Sequence, residues 1–507
     1  MARRARKLMK PSLRENTMRT VAPARPAPRR WPAALPIGLA LAAAVIYAAI
    51  SIYRHDHFGS NAFDLGVQDQ TVWGYSQLAI IPNTVEMIGN LLGDHFHPIL
   101  MTIAPLYWIW NDARVLLVVQ AALLAAAGIP IFWWTRAQLG LYAAIAVEIA
   151  YLAFWGVLSG VVFDFHHIAF AVPALSFALY AVLTKNNRLF WGMLVIALLT
   201  RENVALTFAA VGLYLVVAQR RWQLGLLVMG VCLAWFAALV EVVMPAIAGG
   251  PYRHWTYDAL GNGPGGALLT VIRHPVSSLA LLFNNPIKLK LWGGLLGSWL
   301  FLPIASPIFL VAIPSLLERL WSSNPALWSA SFDYSMLIAP ILAYASVDTL
   351  RRIRPLLAGR LASAVPRAAA TGAVLAGAIV TFALVQPLAE VTSYVSGRQV
   401  AAIESCLSVI PASASVSASN ALLPHLSHRR TIYLLTTRTD ADYIAIDLAS
   451  YRGQFFAGEQ AQIRATIRQA LAGDYGVACS AGTTVVLQRG GGSRPLSPDM
   501  AAFIAAS

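Results

Sequence analysis

Residues 113–185 read ARVLLVVQAALLAAAGIPIFWWTRAQLGLYAAIAVEIAYLAFWGVLSGVVFDFHHIAFAVPALSFALYAVLTK. The charged residues in this stretch are Arg114, Arg136, Glu148, Asp164 and Lys185. A helix that crosses a bilayer needs about 20 apolar residues. Three such helices fit here, near 113–135, 140–160 and 168–184. Arg136 and Lys185 fall at one end of them, and Asp164 falls at the other.

The pattern extends in both directions. Further apolar runs lie near 32–52, 189–200, 203–218, 223–244, 288–302, 304–318, 334–350 and 367–387, which makes about eleven spans. The pairs at 189–218 and 288–318 are short and interrupted, so re-entrant helices stay open for them. Of 507 residues, 58% are hydrophobic and 12% are charged, against roughly 25% charged in a soluble domain. Mean hydropathy is +0.62. These values exclude a soluble enzyme, a disordered chain and a fibrous one.

The net charge of +14 is concentrated in the basic tail 1–31, which holds ten Lys or Arg and a single acid, Glu15. The basic character therefore reports membrane topology and gives no sign of a nucleic-acid partner. The tail is cytoplasmic by the positive-inside rule. Alternation then puts Arg136, Lys185, Arg188, Arg220, Arg221, Arg351, Arg352 and Arg354 on the same side. It places the large loop 53–112, the turns 160–167 and 200–203, residues 245–287 and everything after the last span outside. The expected location is the inner (cell) membrane of a bacterium, crossed many times.

Loop 53–112 collects Asp56, Asp64, Asp69, Glu86, Asp94 and Asp112. Helical spacing of apolar residues between Phe63 and Gln77 predicts an amphipathic helix lying on the outer membrane surface. A second is expected over 99–110, where Trp108 and Trp110 suit the interface. After residue 387 the composition becomes mixed. A helix near 392–409, strands near 414–419, 431–435, 441–447, 475–479 and 483–488, and a helix near 458–471 predict an extracytoplasmic α/β domain over 388–490. The Gly/Ser/Pro-rich tail 491–507 is expected to be disordered. Cys232 reads as packing, and no CxxC motif occurs. Cys406 and Cys479 lie in a compartment where disulfides persist, so a bridge between them is expected, with two buried thiols as the alternative.

Candidate chemistry sits in outer segments: Asp64 and Asp69, then Asp94-His95-Phe96-His97, then Asp164-Phe165-His166-His167, then Arg201-Glu202. Ionisable groups at the ends of membrane helices are expensive and mark function or a structural ion pair. Asp64 and Asp69 are five residues apart, so a helix does not aim both into one site. Asp64 also suits a helix N-cap. The His and Asp residues include ligand types for a divalent cation, but binding of hydroxyls and phosphate is the preferred role. No metal or other cofactor is expected, with a divalent cation left open.

These motifs, with Pro105-Leu106-Tyr107-Trp108, Asn111-Asp112, Gln120, Thr200-Arg201-Glu202 and Asp333-Tyr334-Ser335, resemble a large family of bacterial and archaeal polytopic membrane proteins of unknown function. In that pattern a His is expected where Asp333 stands. Ile410-Pro411, Asn420, Pro424-His425-Leu426-Ser427 and Asp442-Tyr443 extend the likeness, which covers roughly 50–490. The family in turn resembles a distant branch of the GT-C glycosyltransferases, so the span domain 32–387 is expected to be GT-C-like. The resemblance implies a polyprenyl-phosphate-sugar donor and an extracytoplasmic acceptor. It implies Asp64 as the catalytic carboxylate, with Asp69, Asp94, His95, Asp164, His166, Arg201 and Glu202 binding substrate. Two other readings stay open: a non-catalytic carrier or envelope assembly factor on the same scaffold, and a transporter built on Glu148 or Glu241.

Overall fold

Inside a bilayer no water satisfies the backbone, so long apolar runs close their own hydrogen bonds as helices. The computed structural model describes residues 34–384, 395–450, 454–492 and 494–506. The basic tail 1–31 lies outside the described residues. All eleven apolar segments contain helix. Among the described residues, six helices are long and apolar enough to cross a membrane: Ala34–Asp56, Arg114–Leu139, Leu141–Val162, His167–Thr184, Trp222–Ala248 and Leu361–Leu384. Asn187–Leu198 and Val204–Val217 are shorter, about 18–21 Å each at 1.5 Å per residue. The turn between them carries Arg201 and Glu202.

Small residues let these helices touch. A Cβ on Gly212 would lie 2.7 Å from the Gly225 carbonyl, so Val204–Val217 and the following helix Trp222–Ala238 meet backbone to backbone. The basic turns gather at one end. Arg354 donates to the Gln138 carbonyl at 2.9 Å, and Arg221 to Asn187 at 2.7 Å.

The first loop departs from expectation. A π-turn, Ala62–Gly66, leads into the helix Val67–Ser76, which is buried along nearly its whole length and leaves no open face. Leu65, Val72 and Tyr75 pack on Leu100, Tyr107 and Phe165, while Ala62 and Val67 pack under Leu422 and Leu423 of the C-terminal domain. The helix is buried because a second domain covers the face that membrane or solvent would otherwise meet. The segment 99–110 breaks into Pro98–Thr102 and Ala104–Tyr107, and leaves Trp108, Ile109 and Trp110 exposed.

The C-terminal domain holds one mixed sheet of Val416–Ala418 (β1), Ile432–Leu434 (β2), Tyr443–Asp447 (β3), Tyr475–Ala481 (β4) and Thr484–Arg489 (β5), in the order β2-β1-β3-β5-β4. β1 is parallel to β2 and β3, and β5 is antiparallel to β3 and β4. Gln454–Ala472 covers one face through Ile463 and Ile467. Gly397–Leu407 packs through Cys406, which is disulfide-bonded to Cys479 with Cα atoms 5.3 Å apart. The tail expected to be disordered instead forms the helix Pro498–Ala505. Ser497 caps it and Met500 is fully buried against the sheet. Met500, Phe503 and Ile504 carry a helical period that the surrounding Gly, Ser and Pro conceal.

Candidate active site

Asp64 projects from the π-turn Ala62–Gly66, and that turn is clamped from two sides. The Asn61 N–H donates to Asp164 Oδ2 at 2.7 Å, and the Ala62 N–H to Asn420 Oδ1 at 2.9 Å. Gly66 is required beneath the C-terminal domain, because a Cβ there would meet Leu423 at 2.5 Å. Asp64 itself keeps about a quarter of its side chain exposed, and Oδ1 lies 3.2 Å from His166 Nε2. The other ring nitrogen, Nδ1, faces the Asp164 carbonyl at 2.9 Å, and the His166 N–H is held by Gln120 Oε1 at 2.8 Å. A carbonyl only accepts, so Nδ1 carries a proton. Nε2 facing a carboxylate then favours a second one. Burial opposes that charge, but Asp333 and Asp64 outweigh it and raise the His166 pKa to about 9.

A second cluster adjoins the first. His95 Nδ1 bonds Glu202 Oε1 at 2.8 Å, and Glu202 also accepts from the Phe96 N–H at 3.2 Å and the Tyr252 hydroxyl at 3.1 Å. Burial opposes ionisation of Glu202, but His95 and Arg201 outweigh it and hold the carboxyl far below its usual range. Burial and the Arg201 charge together lower the His95 pKa despite Glu202. His95 is then neutral, with its Nε2 lone pair facing Arg201 Nη2 at 3.2 Å. Arg201 Nε has no hydrogen-bond partner among the described residues. His254 bonds Asp94 Oδ1 at 3.1 Å and stacks on His95 at 3.9 Å.

Beyond Arg201 opens a cavity of about 1200 Å³. Leu206, Leu213, Met229, Leu233, Phe236 and Leu317 give it an apolar wall. His95, Arg201, Tyr252, His254, Glu318 and Tyr334 form its polar end. Tyr334 connects the two clusters: it lines the cavity and lies within electrostatic reach of Asp333, Arg201 and Asp64. Glu86 similarly interacts with both Asp94 and Asp64.

The structure therefore brings together Asp64, Asp94, His95, His166, Arg201 and Glu202, and leaves out two residues expected to bind substrate. Asp164 is fully buried, its carboxylate divided between Arg54 at 2.5 Å and the Asn61 N–H. Asp69 is fully buried on the opposite face of its helix, where Tyr107, Ser427 and His428 donate to it. A carboxylate with that many donors braces the fold and is closed to a ligand. Sequence reading missed Tyr252, His254 and Glu318, and met Asp333 and Tyr334 only as part of the family pattern, with no role assigned to either. The run Tyr252-Arg253-His254-Trp255-Thr256-Tyr257 carried a signal, three aromatic residues and a His close together within the segment 245–287.

Asp94, His95 and His254 present ligand atoms within 4.8 Å of one another. They fit a cation poorly. Both nitrogens of His95 are engaged, and two rings stacked 15° from parallel cannot aim their in-plane lone pairs at one ion.

Fold and site together define a multi-pass membrane protein of GT-C-like architecture. The chain is similar to the crystal structure of ArnT from Cupriavidus metallidurans bound to undecaprenyl phosphate, at 13% identity and a TM-score of 0.52, covering 89% of this chain and 97% of that one. The apo form of the same protein gives 13% identity and 0.52 over 90% and 99%. No curated protein matches the sequence. The chain belongs to the family described as "Predicted membrane protein (DUF2079)", which matches residues 54–485.

Proposed function

We propose that the protein is a membrane glycosyltransferase that moves a sugar from a polyprenyl-phosphate donor to an extracytoplasmic acceptor. One observation carries the reading: an apolar cavity of about 1200 Å³ is lined at its polar end by Arg201, whose Nε has no partner among the described residues, and by Tyr334, which lies within electrostatic reach of the part-exposed carboxylate of Asp64. The volume exceeds the roughly 300–1,000 Å³ of ordinary small-molecule pockets, and its lining suits a lipid tail. The likeness to a protein solved with undecaprenyl phosphate supports the same ligand class.

In this reading the prenyl chain fills the cavity and its phosphate meets Arg201. Asp64 removes the proton from an acceptor hydroxyl. That oxygen attacks the anomeric carbon as the bond to the phosphate oxygen breaks, and polyprenyl phosphate departs with the electron pair. Arg201 stabilises the charge that grows on the phosphate. The chemistry needs no nucleotide or metal. The gathering of basic turns at one end supports a cytoplasmic N-terminus and an outer face for the site, the disulfide and the C-terminal domain.

Mass spectrometry of lipids co-purified with the protein tests the proposal. Polyprenyl phosphate should accompany the wild type and fall about tenfold or more in R201A, as loss of a charge-assisted contact predicts. Retention of the same lipid by R201A, or a cavity that carries only phospholipid, overturns it.

A further inference from the structure

Asp333 has no role in the reaction above, yet its environment is unusual. Its side chain is 2% exposed, and Oδ1 has no hydrogen-bond partner among the described residues. A buried acceptor left open is costly and calls for a use. Oδ1 lies 3.8 Å from His166 Nε2, the atom already bonded to Asp64 Oδ1 at 3.2 Å. One N–H points along one line, so it serves one carboxylate at a time. The rest of the ring is fixed: Nδ1 sits on the Asp164 carbonyl, and Phe163 stacks on it with centroids 5.3 Å apart. The turn that presents Asp333 is fixed too, since Arg319 donates to Ser335 at 2.7 Å and to the Leu327 and Ser329 carbonyls at 2.8 and 2.9 Å. His166 Nε2 is thus poised between an occupied acceptor and an open one.

We propose that Asp333 is a positioning residue that takes over the Nε2–H of His166 whenever Asp64 becomes neutral. The inference rests on the reading of Asp64 as the base. When Asp64 accepts the acceptor proton, the hydroxyl O–H bond breaks and a carboxyl O–H bond forms. No bond to His166 changes. The buried imidazolium then loses its counter-charge, and Asp333 replaces it at the same nitrogen with a small pivot of the ring. Of the other ionisable groups nearby among the described residues, His167 on the same segment interacts with His166, and the Asp164 carboxylate two residues back is paired with Arg54. The carboxylates that outweigh burial at His166 are Asp333 and Asp64.

The test is histidine C2-hydrogen exchange on the purified full-length protein, read by tandem mass spectrometry across pH. The His166 midpoint should lie near 9 in the wild type and stay above the free value of about 6.5 in D64N. It should drop by about one unit or more in D333N, recover in D333E, and fall below about 6.5 in the double variant. A D64N midpoint equal to that of the double variant, or no change in D333N, overturns the proposal. The His428 curve in the same spectra reports whether each variant keeps its fold. If D64N does not fold, the D333N and D333E pair decides alone. This readout needs no sugar donor, so its failure and the failure of the transferase reading are separable.

Discussion

Asp64 and Asp69 stand five residues apart on one continuous helical segment, and the structure gives them opposite work. Asp69 is fully buried and takes hydrogen bonds from Tyr107 on one side of a domain junction and from Ser427 and His428 on the other. Asp64 is a quarter exposed, and His166 is its hydrogen-bonding side chain among the described residues. A carboxylate whose acceptor sites are filled by protein donors acts as a brace. One that keeps acceptor sites open is available to a substrate. The same contrast separates Asp164, which is spent on Arg54 and Asn61, from Asp94, whose single side-chain partner His254 sits on the cavity wall.

Exchanging the pair breaks this comparison most sharply. Asp64→Asn should lower sugar transfer, followed as polyprenyl phosphate released from a lipid-linked donor, by about 10²–10⁴-fold, the usual worth of a positioned base. Its melting temperature should stay close to wild type. Asp69→Ala should do the reverse: it leaves the buried Tyr107 and Ser427 hydroxyls and the part-exposed His428 without their acceptor and costs about 3 kcal/mol of stability. If D69A keeps its melting temperature but loses transfer, the division into brace and site is wrong.

Asp164→Asn comes next in size. It removes the charge facing Arg54 in a region with no exposure, which costs about 3–5 kcal/mol. It also loosens the π-turn that aims Asp64, so lowered stability and lowered transfer should appear together. Limited proteolysis and thermal melts in detergent check this. A stable D164N with an intact π-turn would show that the clamp is dispensable.

The contrast also marks what the sequence can reveal. The spans were legible because hydropathy is a local quantity, and every apolar run contains helix. The strands of the C-terminal domain were legible for the same reason. Asp64, Asp94, His95, His166, Arg201 and Glu202 stood out as rare charges at helix ends. Asp69 and Asp164 carry the same local signal, and only their long-range partners distinguish them: Ser427 and His428 lie some 360 residues from Asp69. Glu318 was invisible for the opposite reason, since it reads as an ordinary polar residue until the fold sets it beside Arg201, and Asp333 stood in the family pattern with nothing local to set it beside His166. The helix expected over 63–77 is present, and its burial was not foreseen because nothing local announces that a second domain covers it.

The smallest effect concerns the junction itself. Burial works against a charge on His428, but Asp69, with which it shares a hydrogen bond and an ion pair, raises its pKa above the free value. The pair therefore contributes its full stability below about pH 6.5, where His428 is charged even in the unfolded chain. That contribution is lost as pH rises through the raised folded value. Since His428 is about a quarter exposed, solvent limits the pair to about 1 kcal/mol. His428→Gln should keep a hydrogen bond to Asp69 while removing the charge. Its melting temperature should be lower than wild type at pH 6 and converge on wild type at alkaline pH, with transfer unaffected at either. A gap that widens with pH would mean that His428 is neutral in the junction, and that Asp69 is held by Tyr107 and Ser427 alone.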